Sequence, residues 1–156
     1  MKNIPKILVT PGEPAGIGYD ILLDLPKKNF KANIITIASI EILKERADLL
    51  EKKINFIKID INDLNFPKIS KNDILVHDLK NTCKVQIGKP NIKHVPLILK
   101  SLNLAVEACL KNIANAGCNW SCSEKYHHET WSKLFWAYRV YCITNRWWAN
   151  NDAAHR

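Results

Sequence analysis

An α/β fold with a mainly parallel sheet is expected, because two kinds of segment alternate along residues 1–116. Short apolar runs rich in β-branched residues recur at the length of buried strands. Between them lie stretches with apolar residues at helical spacing, and turns containing Gly or Pro separate the two. Packing the helices on the sheet gives a layered α/β/α arrangement.

The elements follow in order. Lys6–Thr10 (KILVT) is an apolar run that ends in a Pro/Gly loop and reads as a first strand. After the loop, an amphipathic stretch reaches about Leu25 and is closed by Pro26. Asn33–Ala38 (NIITIA) is a second strand. Ser39 fits an N-cap, Glu41 puts negative charge in the first turn, and the helix they open runs to about Lys52. Ile54–Ile59 is a third strand, Asp60–Asn72 a polar loop, and Ile74–Val76 a short fourth strand. Thr82–His94 reads as irregular. Val95, Ile98, Leu99, Leu102, Val106, Cys109 and Ile113 then recur at helical spacing and predict a helix over Val95–Asn112. Cys109 reads as a small buried residue on that helix.

Composition excludes several classes. The chain has 156 residues, 47% of them hydrophobic and 24% charged, which excludes a mostly disordered chain. No stretch reaches about 18 consecutive apolar residues, so no membrane span is expected. The first residues lack the apolar core of a signal peptide, which makes a cytoplasmic protein the expectation. The net charge is +8, but the lysines are evenly spread, as on a solvated surface, and no nucleic-acid partner is expected. Five cysteines without a secretory signal argue against a disulfide framework.

The most informative segment is Thr10-Pro11-Gly12-Glu13-Pro14-Ala15-Gly16-Ile17-Gly18. It is a Gly-rich strand-to-helix turn of the kind that can offer backbone N–H groups to an anion. It lacks the Gly-Lys-Ser/Thr of a P-loop and the third glycine of a dinucleotide fingerprint. As a string, V-T-P-G-E-P-A-G-I-G resembles the 4-hydroxythreonine-4-phosphate dehydrogenases of the vitamin B6 pathway. Ser101–Leu110 (SLNLAVEACL) is similar to that family's helix before its central strand. Tyr19 departs from the usual proline, whereas Asp20 matches. The resemblance covers residues 4 to about 116 and corresponds to the N-terminal portion of a longer protein.

The resemblance implies an isocitrate/isopropylmalate dehydrogenase-like α/β/α fold, here incomplete. It implies an NAD(P)-dependent oxidation of 4-hydroxy-L-threonine 4-phosphate, followed by loss of carbon dioxide. A divalent metal (zinc, magnesium or cobalt) would serve as Lewis acid. It also implies a homodimer with the active site at the dimer interface. Gly12, Glu13, Gly16, Gly18 and Asp20 are the candidate substrate-side loop residues, with Glu13 and Asp20 as orienting carboxylates. Turn chemistry and helix capping are equally open roles for them. His77 and His94 do not match the family's metal-ligand motifs, so neither a catalytic residue nor a metal ligand is expected to be retained. A free-standing module that binds a phosphorylated ligand through Gly12, Gly16 and Gly18, without catalysis, is the alternative.

Residues 117–156 read differently. All five tryptophans lie there, while 19 of the 20 isoleucines and 17 of the 19 lysines lie before them. The tail has no clean period of 2 or 3.6 and is expected to be irregular. Cys118, Cys122, His127 and His128 suggest zinc, but the adjacent histidines diverge and lack the usual ligand gap. Trp120, Trp131 and Trp136 with Lys125, Lys133 and Arg139 suggest single-stranded nucleic acid, against which stands a run of exposed aromatics without function. The genetic code offers a simpler account. Trp has one codon, TGG, so reading from its second base always yields glycine. The shifted reading permits V-T-G-P and G-H-T-E strings that resemble the family's continuation, with the forced glycines where that pattern carries glycine. The position of G-H-T-E is held here by Trp136-Ala137-Tyr138-Arg139. A frameshift after Ala116, by one inserted base or two lost, is therefore expected. Sequencing codons 110–156 should reveal the family's continuation in the shifted frame; an unrelated string there would refute the frameshift.

Overall fold

The computed structural model describes residues 4–63, 67 and 69–119. These build a five-stranded, all-parallel sheet of order β3-β4-β2-β1-β5. The elements run β1 (Lys6–Thr10), α1 (Gly18–Leu22), β2 (Asn33–Ala38), α2 (Ile40–Leu49), β3 (Asn55–Lys58), β4 (Asp73–Asp78), α3 (Val95–Leu110) and β5 (Ala116–Asn119). Short 3-10 turns stand at Leu25–Lys27 and Ile92–His94.

Both faces of the sheet are covered. Leu8, Ile35, Ile37 and Leu75 face α3, where Ala105, Ala108 and Cys109 meet them. Val9, Ala38, Ile74 and Val76 face the opposite way, onto Tyr19, Leu22, Ile42, Leu43 and Ala47 of α1 and α2. Successive side chains on a strand point to opposite faces, so each strand feeds both cores. The placement of helices follows from handedness. The crossovers from β1 to β2 and from β2 to β3 run one way across the sheet, and the crossover from β4 to β5 runs back. Right-handed connections then put α1 and α2 on one face and α3 on the other.

The predicted bounds of β1 and β2 hold. α1 is shorter than its pattern suggests, and Pro26 sits inside the 3-10 turn rather than ending the helix. A proline is tolerated there because the first N–H groups of a helical turn have no internal partner. β4 is longer than Ile74–Val76, since parallel pairing with β2 and β3 extends it over polar Asp73, His77 and Asp78. Ser39 caps α2, accepting from Ile42 N at 3.5 Å. Cys109 is buried, and burial pushes its thiol up. β5 crosses the 116/117 boundary, so Gly117, Cys118 and Asn119 continue as strand on β1. Trp120, Cys122, Lys125, His127, His128, Trp131, Lys133, Trp136 and Arg139 lie outside the described residues. No helix among the described residues is long and apolar enough to cross a membrane.

Asp78, at the end of β4, accepts from Ile40 N at 3.1 Å and pairs with Lys58 Nζ at 2.9 Å. Burial pushes its carboxyl up, but the hydrogen bonds from Lys58 and Ile40 outweigh that and leave it below the ordinary 3.8. A depressed carboxylate stabilises the fold above its unfolded value, and that contribution is lost as pH falls through the folded value. Asp78→Asn is therefore expected to cost about 1–2 kcal/mol at pH 7. Urea unfolding at pH 7 and in acid checks this: the gap between the two proteins should shrink as pH drops below 3.8.

Candidate functional site

The Gly-rich loop leaves the carboxyl edge of β1, between β2 on one side and β5 on the other. The direction of chain crossover reverses between β1 and β5. Open α/β sheets bind ligands at such a reversal, outside the carboxyl ends of the strands. Thr10 is buried there, and its hydroxyl donates to Asn119 Oδ1 at 2.9 Å, bridging the two strand ends.

Each candidate glycine has a distinct local role. Gly12 has a φ of 76°, in the left-handed region that favours glycine. Gly16 closes a turn, donating its N–H to the Glu13 carbonyl at 2.9 Å. Gly18 has no room for a side chain, because a Cβ there would stand 1.9 Å from the Pro11 carbonyl oxygen. α1 has only five residues, and the amides of Ala15 and Gly16 are already bonded to Glu13. The loop's shape is thus set largely by bonds within itself.

Both candidate carboxylates have protein partners. Glu13 is buried; its Oε1 accepts from Ala15 N at 3.1 Å and lies 2.5 Å from His94 Nδ1. His94, 1% exposed, directs its other ring nitrogen at the Lys84 carbonyl, 3.4 Å away. Asp20 meets Arg46, whose Nη1 hydrogen-bonds Oδ2 at 3.3 Å and stands 3.1 Å from Oδ1 as an ion pair. Arg46 Nη2 donates to the carbonyls of Pro14 at 3.1 Å and Gly16 at 3.2 Å. Tyr19, where the family string has proline, fills the core under the loop. Burial pushes its hydroxyl well up, and the nearby Glu13 charge adds to that, while the Ser39 backbone hydrogen bond and Arg46 oppose it.

Sequence reasoning missed Arg46 and His94. Arg46 carried one usable signal, as the single arginine against 17 lysines in residues 1–116. A guanidinium presents a planar fork of donors that an ammonium cannot copy. His94 carried no such signal, because its partner lies 81 positions away. His77 is separate from the loop and receives Ile61 N at 3.4 Å.

The described residues do not fit the metal that the resemblance implies. No group of three or more His, Cys, Asp or Glu among them could hold an ion. A cleft of about 820 Å³ opens at the other end of the sheet, at the amino ends of β2 and β4, lined in part by Lys27, Lys28, Phe30 and Lys71. It contains none of the five loop candidates, and the switch-point edge remains the better functional candidate.

Arg46 is buried, with two carbonyl acceptors in the loop and the Asp20 carboxylate in α1. Arg46→Leu is expected to cost about 3 kcal/mol, because it strands Asp20 and two carbonyls. Arg46→Lys should recover part of that loss. Denaturant unfolding of the two variants beside the parent measures both, and equal stability of all three would remove the clamp.

No family model matches the chain. Curated relatives do. The 4-hydroxythreonine-4-phosphate dehydrogenase of Pseudoalteromonas translucida is 33% identical over 102 residues, covering 65% of this chain and 31% of the relative. That of Vibrio parahaemolyticus is 33% identical over 111 residues, covering 70% and 33%. Solved structures share the fold. The enzyme of the same name from Klebsiella pneumoniae superposes with a TM-score of 0.67 at 19% identity, covering 78% of this chain and 38% of that one. The Burkholderia phymatum enzyme gives 0.66 at 16%, covering 76% and 36%. Over the matched residues the chain is similar to 4-hydroxythreonine-4-phosphate dehydrogenases, and it spans about a third of the length of the curated relatives it matches.

Proposed function

We propose that the chain carries the first strands and the Gly-rich loop of an NAD(P)-dependent enzyme that oxidises and decarboxylates 4-hydroxy-L-threonine 4-phosphate. By itself it is catalytically silent. The observation that carries the first part is the Gly-rich loop of the family's string, seated at the switch point of a parallel sheet. The second part rests on the tail, where Trp136-Ala137-Tyr138-Arg139 stands in place of G-H-T-E.

The frameshift after Ala116 is part of this reading, and the packing of β5 supports it. Counting back from the glycine forced at Trp120, the shifted frame permits alanine at 117, valine at 118 and threonine at 119. A Cβ at Gly117 would meet Ala105 Cβ and Cys109 Sγ at 3.7 Å each, an ordinary contact distance. Cys118 pairs with Val9, and Asn119 accepts from Thr10. Valine suits a strand paired there, and a threonine hydroxyl can also accept a hydrogen bond. NAD(P), the divalent metal, the homodimer and a cytoplasmic setting belong to the whole enzyme in this reading.

The purified 156-residue chain, mixed with the phosphorylated substrate, NAD(P) and divalent metal, should give no reduction of the nicotinamide above background. A protein expressed from the frame-corrected gene should give it. Turnover by the uncorrected chain would overturn the silence, and an inactive corrected protein would overturn the assigned reaction.

The second reading, a module that binds a phosphorylated ligand through Gly12, Gly16 and Gly18, is favoured by the same exposed carboxyl edge. It requires a stability shift on adding such a ligand to the uncorrected chain. A flat melting temperature across the titration would dismiss it.

A further inference from the structure

Residues 84–94 run from beyond β4 to the start of α3 as a strap beside the Gly-rich loop. The strap is closed on itself by the contact between His94 Nε2 and the Lys84 carbonyl, at 3.4 Å. Inside it, Lys89 N donates to the Gln86 carbonyl at 3.0 Å, and Asn91 Oδ1 accepts from Lys93 N at 3.0 Å. Gly88 turns the strap with a φ of +73°, and a Cβ there would meet nothing within 4 Å, so backbone geometry alone favours glycine. Two bonds tie the strap to the loop. Gly88 N donates to the Ala15 carbonyl at 2.9 Å, and His94 Nδ1 lies 2.5 Å from Glu13 Oε1. The first tether is on an exposed residue; the second is buried on both sides. Glu13 Oε1 also receives Ala15 N, so one oxygen joins His94 to the residue whose carbonyl holds Gly88.

We propose that His94 is the latch of this strap, a positioning residue that makes the Gly-rich loop and residues 84–94 move as one body. A buried hydrogen-bonded pair is costly to break, since each partner is left without compensation when the other withdraws. The exposed Gly88 tether opens readily and recloses only because the buried one keeps its ends together. The latch is independent of which ligand the loop takes. Any ligand that orders the loop through it would also order the strap.

Amide hydrogen exchange on the complete 156-residue chain tests this. In His94→Leu the amides of Ala15, Gly16 and Gly88 should exchange at least about tenfold faster, with the β1–β2 ladder amides within about twofold of the parent. His94→Asn, whose amide nitrogen can stand close to the Nδ1 position, should restore part of the protection. Unchanged exchange at the three amides overturns the latch. So does a uniform rise across β1 and β2, which would make His94 a general core residue. Should His94→Leu unfold, Glu13→Gln is read in the same way: selective loosening of loop and strap supports the latch, and uniform or absent loosening overturns it.

Discussion

A buried guanidinium must find several acceptors, and Arg46 finds them in the Gly-rich loop and the first turn of α1. From the last turn of α2 it reaches the carbonyls of Pro14 and Gly16 and the carboxylate of Asp20. This contact converts a glycine-rich segment, entropically inclined to wander, into a fixed connection between β1 and α1. It also docks α2 against α1, whose apolar residues close the core on that face. Replacing those three acceptors by water would leave a charge in the core, so loop, helix and sheet face stand or fall together.

A second side chain, His94, reaches the loop from the start of α3, which packs on the other face of the sheet. Glu13 of the loop and Asp20 of α1 are thus held by different elements, the N-cap of α3 and the last turn of α2. Glu13 and Asp20 act in the described structure as struts of the loop. In the curated relatives the matched stretch makes up about a third of the chain.

β5 spans the point where the composition of the sequence changes. Its pairing with β1 runs from Ala116 to Asn119 without interruption, although the sequence changes character after Ala116. Backbone pairing makes few demands on side chains, and Gly, Cys and Asn can all be held in a short parallel strand. What differs is the packing: Gly117 leaves the contact with Ala105 and Cys109 without the methyl group that would fit it.

The apolar runs of β1 and β2, the spacing of α3 and the cap at Ser39 were legible in the sequence, because periodicity and capping are local properties of the chain. The resemblance carried by Val9–Gly18 was legible as well, as a string. The bounds of α1 and β4 were not, since β4 gains its polar ends only by pairing with β2 and β3. Nor were the roles of the five loop candidates separable. Gly18 is required by the Pro11 carbonyl and Gly12 by its backbone angle, while Glu13 and Asp20 are claimed by residues 81 and 26 positions away. The sequence by itself determined the elements and the family string. Only the tertiary structure decided what the loop's charges hold, because their partners meet through folding rather than through spacing along the chain.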